Sequence, residues 1–66
     1  MIIKNKLKEI RMKEYMLSSK EFAKMLDAPI STYSQWESGI NNPTLAKSFE
    51  IAKKLNKSVI DIWYSE

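Results

Sequence analysis

Apolar side chains recur along this chain at spacings of three and four residues, and the pattern is broken at intervals by residues that cap or interrupt helices. Leu7, Ile10 and Glu14 share one side of a first helical pattern with Arg11 adjacent, which predicts a helix over residues 5–14 capped by Asn5. Ser18 and Glu21 form a Ser-x-x-Glu capping box, so a second helix is expected over 18–27 with Phe22, Ala23 and Leu26 on its buried face. Asp27-Ala28-Pro29 then breaks the pattern, because proline lacks an amide hydrogen and disfavours helical geometry in the residue before it.

A third helix is expected over 30–37, with Pro29 or Ile30 at its start and Gly39 as a left-handed cap at its end. Within it Tyr33, Trp36 and Glu37 cluster on one side, while Ser31, Ser34, Gln35 and Ser38 lie opposite, giving a short, polar and uncharged outer face. Asn41-Asn42-Pro43-Thr44 reads as a loop whose last residue caps a fourth helix over 45–55. Leu45, Phe49, Ala52 and Leu55 would form its buried stripe, widened by Ile51, and Asn56 would end it. Ser58 and Asp61 suggest a cap for a fifth helix over 59–64, and no long strand pattern, linker or repeat is evident. The expected fold is an all-α bundle of five helices in one domain over residues 1–66.

Composition narrows the function classes. With neither Cys nor His, the chain has no disulfide, no thiolate metal site and no usual general base, so neither a structural metal nor a cofactor is expected. Glu9 and Glu14 are poorly aligned as a carboxylate pair on one helix, the serines have no His or Ser-Lys partner, and there is no Gly-rich phosphate loop. An enzyme is therefore the least favoured class. No apolar run approaches the ~20 residues that cross a bilayer, which leaves a cytoplasmic location as the expectation and no membrane partner. The net charge of +3 is compatible with a polyanionic partner. Six Lys or Arg against two acids lie in residues 1–20, and Lys47, Lys53, Lys54 and Lys57 form a second group.

Two short helices joined by a tight turn can cross so that one packs on the body while the other projects a polar face. The major groove of B-DNA, about 12 Å wide, accepts such a helix. Ser31 and Ser34 are small enough for close approach and can donate or accept, Gln35 matches adenine bidentately, and Ile30 can meet a thymine methyl. Free backbone donors near Ser18 and Ser19, with Lys20 beside them, and near Thr44 and Lys47, are placed to bind phosphates, and Asn41 and Asn42 add neutral donors.

Leu7-Lys8-Glu9-Ile10-Arg11, Leu17-Ser18-Ser19-Lys20-Glu21-Phe22-Ala23-Lys24-Met25-Leu26, Ser34-Gln35-Trp36-Glu37-Ser38-Gly39, Pro43-Thr44-Leu45 and Ile51-Ala52-Lys53-Lys54-Leu55 follow one another in a familiar order and spacing. Over residues 7–63 the chain resembles the lambda-repressor and Cro-type, or xenobiotic-response-element type, helix-turn-helix family. That resemblance implies a five-helix bundle whose third helix is the recognition helix, and a role in repressing or activating transcription. It implies base reading by Ile30, Ser31 and Gln35, flanking or backbone contacts by Thr32 and Ser34, and backbone anchoring by Ser19, Asn41, Asn42 and Thr44. It also implies an Arg11–Glu37 pair bracing the first helix against the third. Asp27 stands where the family commonly has Gly, Pro29 where a capping Ser or Thr is common, and Ser48 at an otherwise apolar position.

The favoured reading is a repressor that binds double-stranded DNA at a palindromic operator as a homodimer, with Ile62, Trp63 and Tyr64 as candidate pairing residues. A twofold dimer would set two recognition helices about 34 to 36 Å apart, one turn of the duplex. Core closure by Trp63 and a frayed end at Ile2 and Ile3 are the plain alternatives for those residues. The rival function is a protein-interaction module, such as an antitoxin-like partner, which the uncharged third helix keeps open.

Overall fold

The computed structural model describes residues 1–66. In chain order the elements are β1 (Ile3–Asn5), α1 (Leu7–Ile10), a π-helical turn (Arg11–Tyr15), α2 (Ser19–Met25), α3 (Ile30–Ser38), α4 (Leu45–Lys54), α5 (Val59–Ile62) and β2 (Trp63–Ser65). Five α-helices thus make a mostly helical bundle that contains the helix-turn-helix over α2 and α3. Leu7, Ile10, Phe22, Leu26, Tyr33, Ile51 and Ile62 meet in its core. The ring of Phe22 packs between two tyrosines, 5.5 Å from Tyr15 and edge-on to Tyr33 at 5.6 Å between centroids.

Local sequence sets the helix ends. Ser18 Oγ accepts from the Glu21 N–H at 3.2 Å while the Glu21 carboxylate accepts from the Ser18 N–H at 3.2 Å, the reciprocal box expected for α2. Thr44 Oγ1 accepts from the Lys47 N–H at 3.2 Å and starts α4. Both α2 and α4 close with the same motif. The Asp27 N–H reaches Lys24 O at 3.1 Å and the Ala28 N–H reaches Ala23 O at 2.9 Å, while Asn56 and Lys57 repeat this on Lys53 and Ala52. The motif needs a left-handed residue, and Asp27 (φ 56°) and Asn56 (φ 57°) provide it, since Asp and Asn enter that region more readily than other non-glycine residues.

Several expectations are corrected. The first helix begins at Leu7, with the Asn5 side chain accepting from the Leu7 N–H at 3.1 Å from a position in β1. Its second half widens into the π-helical turn, which ends at Met16 in a left-handed conformation (φ 52°). The fifth helix stops at Ile62, and Trp63 to Ser65 leave it as a strand antiparallel to β1, with Ile3 opposite Ser65 and Asn5 opposite Trp63. Ile2 is not frayed, for it exchanges backbone hydrogen bonds with Glu66.

The buried stripe of α4 also differs. Ser48, Ile51, Ala52 and Leu55 face the core, whereas Leu45 and Phe49 are 71% and 60% exposed. A serine can take the inner position because its hydroxyl donates to Thr44 O at 2.9 Å, so that no hydrogen-bonding group is left unpaired.

Candidate nucleic-acid interface

Pro29 stands at the N-cap of α3, extended at ψ 146°, and its carbonyl accepts from the Tyr33 N–H at 2.9 Å. Proline has no side-chain acceptor, so the first turn of α3 carries no side-chain cap. The turn before it is held from α4. Lys54 Nζ donates to Met25 O at 3.3 Å and forms an ion pair with the Asp27 carboxylate, while Lys47 Nζ donates to Asp27 O at 3.4 Å and approaches Glu50 at 3.4 Å. The hydrogen bond from Lys54, and then its charge, hold the Asp27 carboxyl below the usual range.

The inner side of α3 is pinned at two levels. Tyr33 and Trp36 are buried. Glu37 meets Arg11 side by side, with Nε at 3.1 Å from Oε2 and Nη2 at 3.4 Å from Oε1, and the side chains are only 12% and 16% exposed. Arg11 also donates to Leu17 O at 2.9 Å, and the Tyr33 hydroxyl donates to Glu37 Oε2. This charge-assisted cluster ties the π-helical turn and the segment leading into α2 to α3. Beside it, near the C-terminal end of α3, Asn5 Nδ2 in β1 donates to Trp36 O at 2.8 Å.

Burial, followed by the hydrogen bond to Glu37, pushes the Tyr33 hydroxyl above the ordinary tyrosine value of 10.0. The unfolded chain releases this proton near that value while the folded chain retains it. The associated stability is therefore complete below pH 10.0 and is lost as pH rises toward the folded value. Melting temperature should fall as pH is raised beyond 10, and Tyr33→Phe should flatten that slope; equal slopes in melting curves of both proteins would contradict the assignment.

The outer side of α3 carries Ile30, Ser31, Ser34, Gln35 and Ser38, all exposed, with Thr32 half-buried at the edge. Gly39 turns the chain at φ 83°, and Asn41 returns to Gln35, its Nδ2 donating to Gln35 Oε1 at 2.7 Å. Thr32, Asn42, Thr44 and Lys47 line one shallow depression of about 390 Å³ between the turn, α3 and the start of α4. Ser19 and Lys20 open α2. Of the three candidate pairing residues, Ile62 and Trp63 lie in the core of the bundle and only Tyr64 is exposed.

Sequence spacing did not reveal the Asn5–Trp36, Lys54–Asp27 and Asn41–Gln35 contacts. The Tyr33–Glu37 contact was open to view as an (i, i+4) pair on one helix face. No group of His, Cys, Asp and Glu side chains is arranged to hold a metal ion, and no helix is long and apolar enough to cross a membrane.

No curated protein and no solved structure matches the chain. Residues 7–62 match a protein family described as helix-turn-helix. That stretch begins at the first buried residue of α1 and ends with the last residue of α5, so the match covers the helical bundle and its helix-turn-helix together. The chain belongs to this helix-turn-helix family, HTH_3, and is a non-catalytic DNA-binding domain of the kind found in transcriptional regulators.

Proposed function

We propose that this domain is a sequence-specific repressor of the lambda-repressor and Cro type, which inserts α3 into the major groove of a palindromic operator and covers promoter DNA in the cytoplasm. The observation that carries this reading is the division of α3. One side is fixed by Tyr33, Trp36 and the Arg11–Glu37 contact, and the other presents Ile30, Ser31, Ser34 and Gln35 without a charge. A pinned helix with small polar side chains can approach base edges closely and without rearrangement. Ser31 and Ser34 offer hydroxyls, Ile30 offers apolar contact to a thymine methyl, and Gln35 offers a carboxamide.

Phosphates on either side would be held by Ser19 and Lys20 at α2, and by Thr32, Asn41, Asn42, Thr44 and Lys47 around the depression beside α4. Lys47 also serves the turn through Asp27 O, so its loss affects both roles. Two copies on a palindrome would place their α3 helices about 34 to 36 Å apart. Tyr64, Leu45 and Phe49 are exposed side chains available for pairing, whereas Ile62 and Trp63 are not.

Selection from randomised duplexes, followed by footprinting at fixed salt, tests the proposal. A symmetric site should emerge, and Ser31→Ala should relax preference at one position in each half while leaving helicity intact. Lys20→Ala should weaken all sequences alike and reduce the salt slope by about 1. Failure to enrich any site, with capture of a protein through the Ser31–Gln35 face in the absence of DNA, would favour the protein-interaction reading instead.

A further inference from the structure

The turn between α2 and α3 carries a charge that its backbone does not need. Asp27 closes α2 at φ 56°, and Asn56 closes α4 by the same left-handed motif at φ 57° with an uncharged side chain of nearly the same shape. What sets Asp27 apart is its surroundings. It lies on the wall of the depression of about 390 Å³ that it shares with Thr32, Asn42, Thr44 and Lys47, where it is the one acid and Lys47 the one base.

The Asp27 side chain is 70% exposed, and its carboxylate is paired with Lys54, the last residue of α4. Lys54 Nζ also donates to Met25 O at 3.3 Å, so its ammonium is drawn onto the turn. Lys47 is held differently, by the backbone oxygen of Asp27 at 3.4 Å and by Glu50. A phosphate seated in the depression is a second anion beside the same wall, and an exposed ion pair is held by little net free energy. The phosphate and the Asp27 carboxylate then compete for one ammonium.

On the reading of α3 as the major-groove helix, on which this rests, we infer that Asp27 is an intramolecular competitor of DNA, and that the lysine it occupies, Lys54, is a further phosphate-binding residue. The domain binds its site less tightly than its cations allow. Replacing the carboxylate by a neutral group of the same shape releases Lys54 to the DNA backbone.

The test is a double-mutant cycle on affinity for a duplex carrying one half of the selected site, over a series of salt concentrations, with helicity checked for each variant. Asp27→Asn keeps the left-handed turn, and Lys54→Met keeps most of the apolar stem. Asp27→Asn should bind about fivefold tighter near 0.1 M salt, with a salt slope steeper by about 1, as one added phosphate contact requires. Lys54→Met should change affinity by less than about twofold in the unaltered chain and by about fivefold in the Asp27→Asn background. An equal loss in both backgrounds would mean two fixed charges acting independently, and a larger loss in the unaltered chain would mean that Lys54 only braces the turn. Either result would overturn the inference while leaving α3 in the groove, as would an equal gain from Glu9→Gln, which makes the same charge change on exposed α1. Selection that enriches no sequence at all would overturn both.

Discussion

Phe22→Ala is expected to remove most of the stability of the domain. Phe22 is fully buried between Tyr15 and Tyr33, so truncation leaves a cavity where three elements meet. Phe-to-Ala changes in cores cost about 3 to 5 kcal/mol. At roughly 0.05 to 0.15 kcal/mol per residue, a chain of this size has about 3 to 10 kcal/mol in all. Urea unfolding followed by circular dichroism should show a midpoint displaced to near zero denaturant, or no folded baseline. A loss below about 1 kcal/mol, the scale of a minor surface change, would show that the aromatic stack is not central to the core.

Glu37→Ala should produce the second large effect, by another mechanism. Glu37 accepts from Arg11 twice and from the Tyr33 hydroxyl, and both members of the ion pair are mostly out of solvent. Its removal leaves a guanidinium and a phenol without their acceptor at a site only partly open to solvent. Breaking a buried pair costs about 3 to 5 kcal/mol, and for a pair at the edge of the core we expect about 3 kcal/mol. The partners should be strongly coupled. Arg11→Met combined with Glu37→Leu should cost less than the sum of the single changes, because no uncompensated charge remains. Additive losses in unfolding free energy would indicate that the two side chains act independently.

How much of this was legible in the sequence depends on the range of each interaction. The Ser18–Glu21 box, the Thr44 cap and the ends at Asp27, Gly39 and Asn56 are set by residues within a few positions of one another, and their types disclose them. The periodicity of α3 likewise separates Tyr33 and Trp36 from Ser31, Ser34 and Gln35. In α4 the apolar pattern pointed to Leu45 and Phe49, but the core takes Ser48 through its bond to Thr44 O. Hydropathy alone gives no sign of such satisfaction.

The ribbon of β1 and β2 was outside the reach of local pattern. Each strand has three residues, and pairing depends on the bundle bringing Ile3 to Ser65 across the length of the chain. A separation of 31 residues likewise concealed the link from Asn5 to Trp36 O, and with it the support that β1 gives to the end of α3. Of the two readings open for Trp63, the structure takes core closure, and Ile62, a candidate for pairing, is buried with it.

On the proposed function, the uncharged outer side of α3 is the surface that meets DNA. Titration of ¹⁵N-labelled protein with a short duplex, followed by amide and side-chain NMR signals, tests it most directly. The expected result is a set of salt-sensitive shifts centred on Ser31, Ser34 and Gln35, with flanking shifts at Ser19, Lys20 and Asn41 to Thr44, while the ribbon and α5 remain still. Shifts centred on β1, β2 and α5 with α3 unchanged would contradict it.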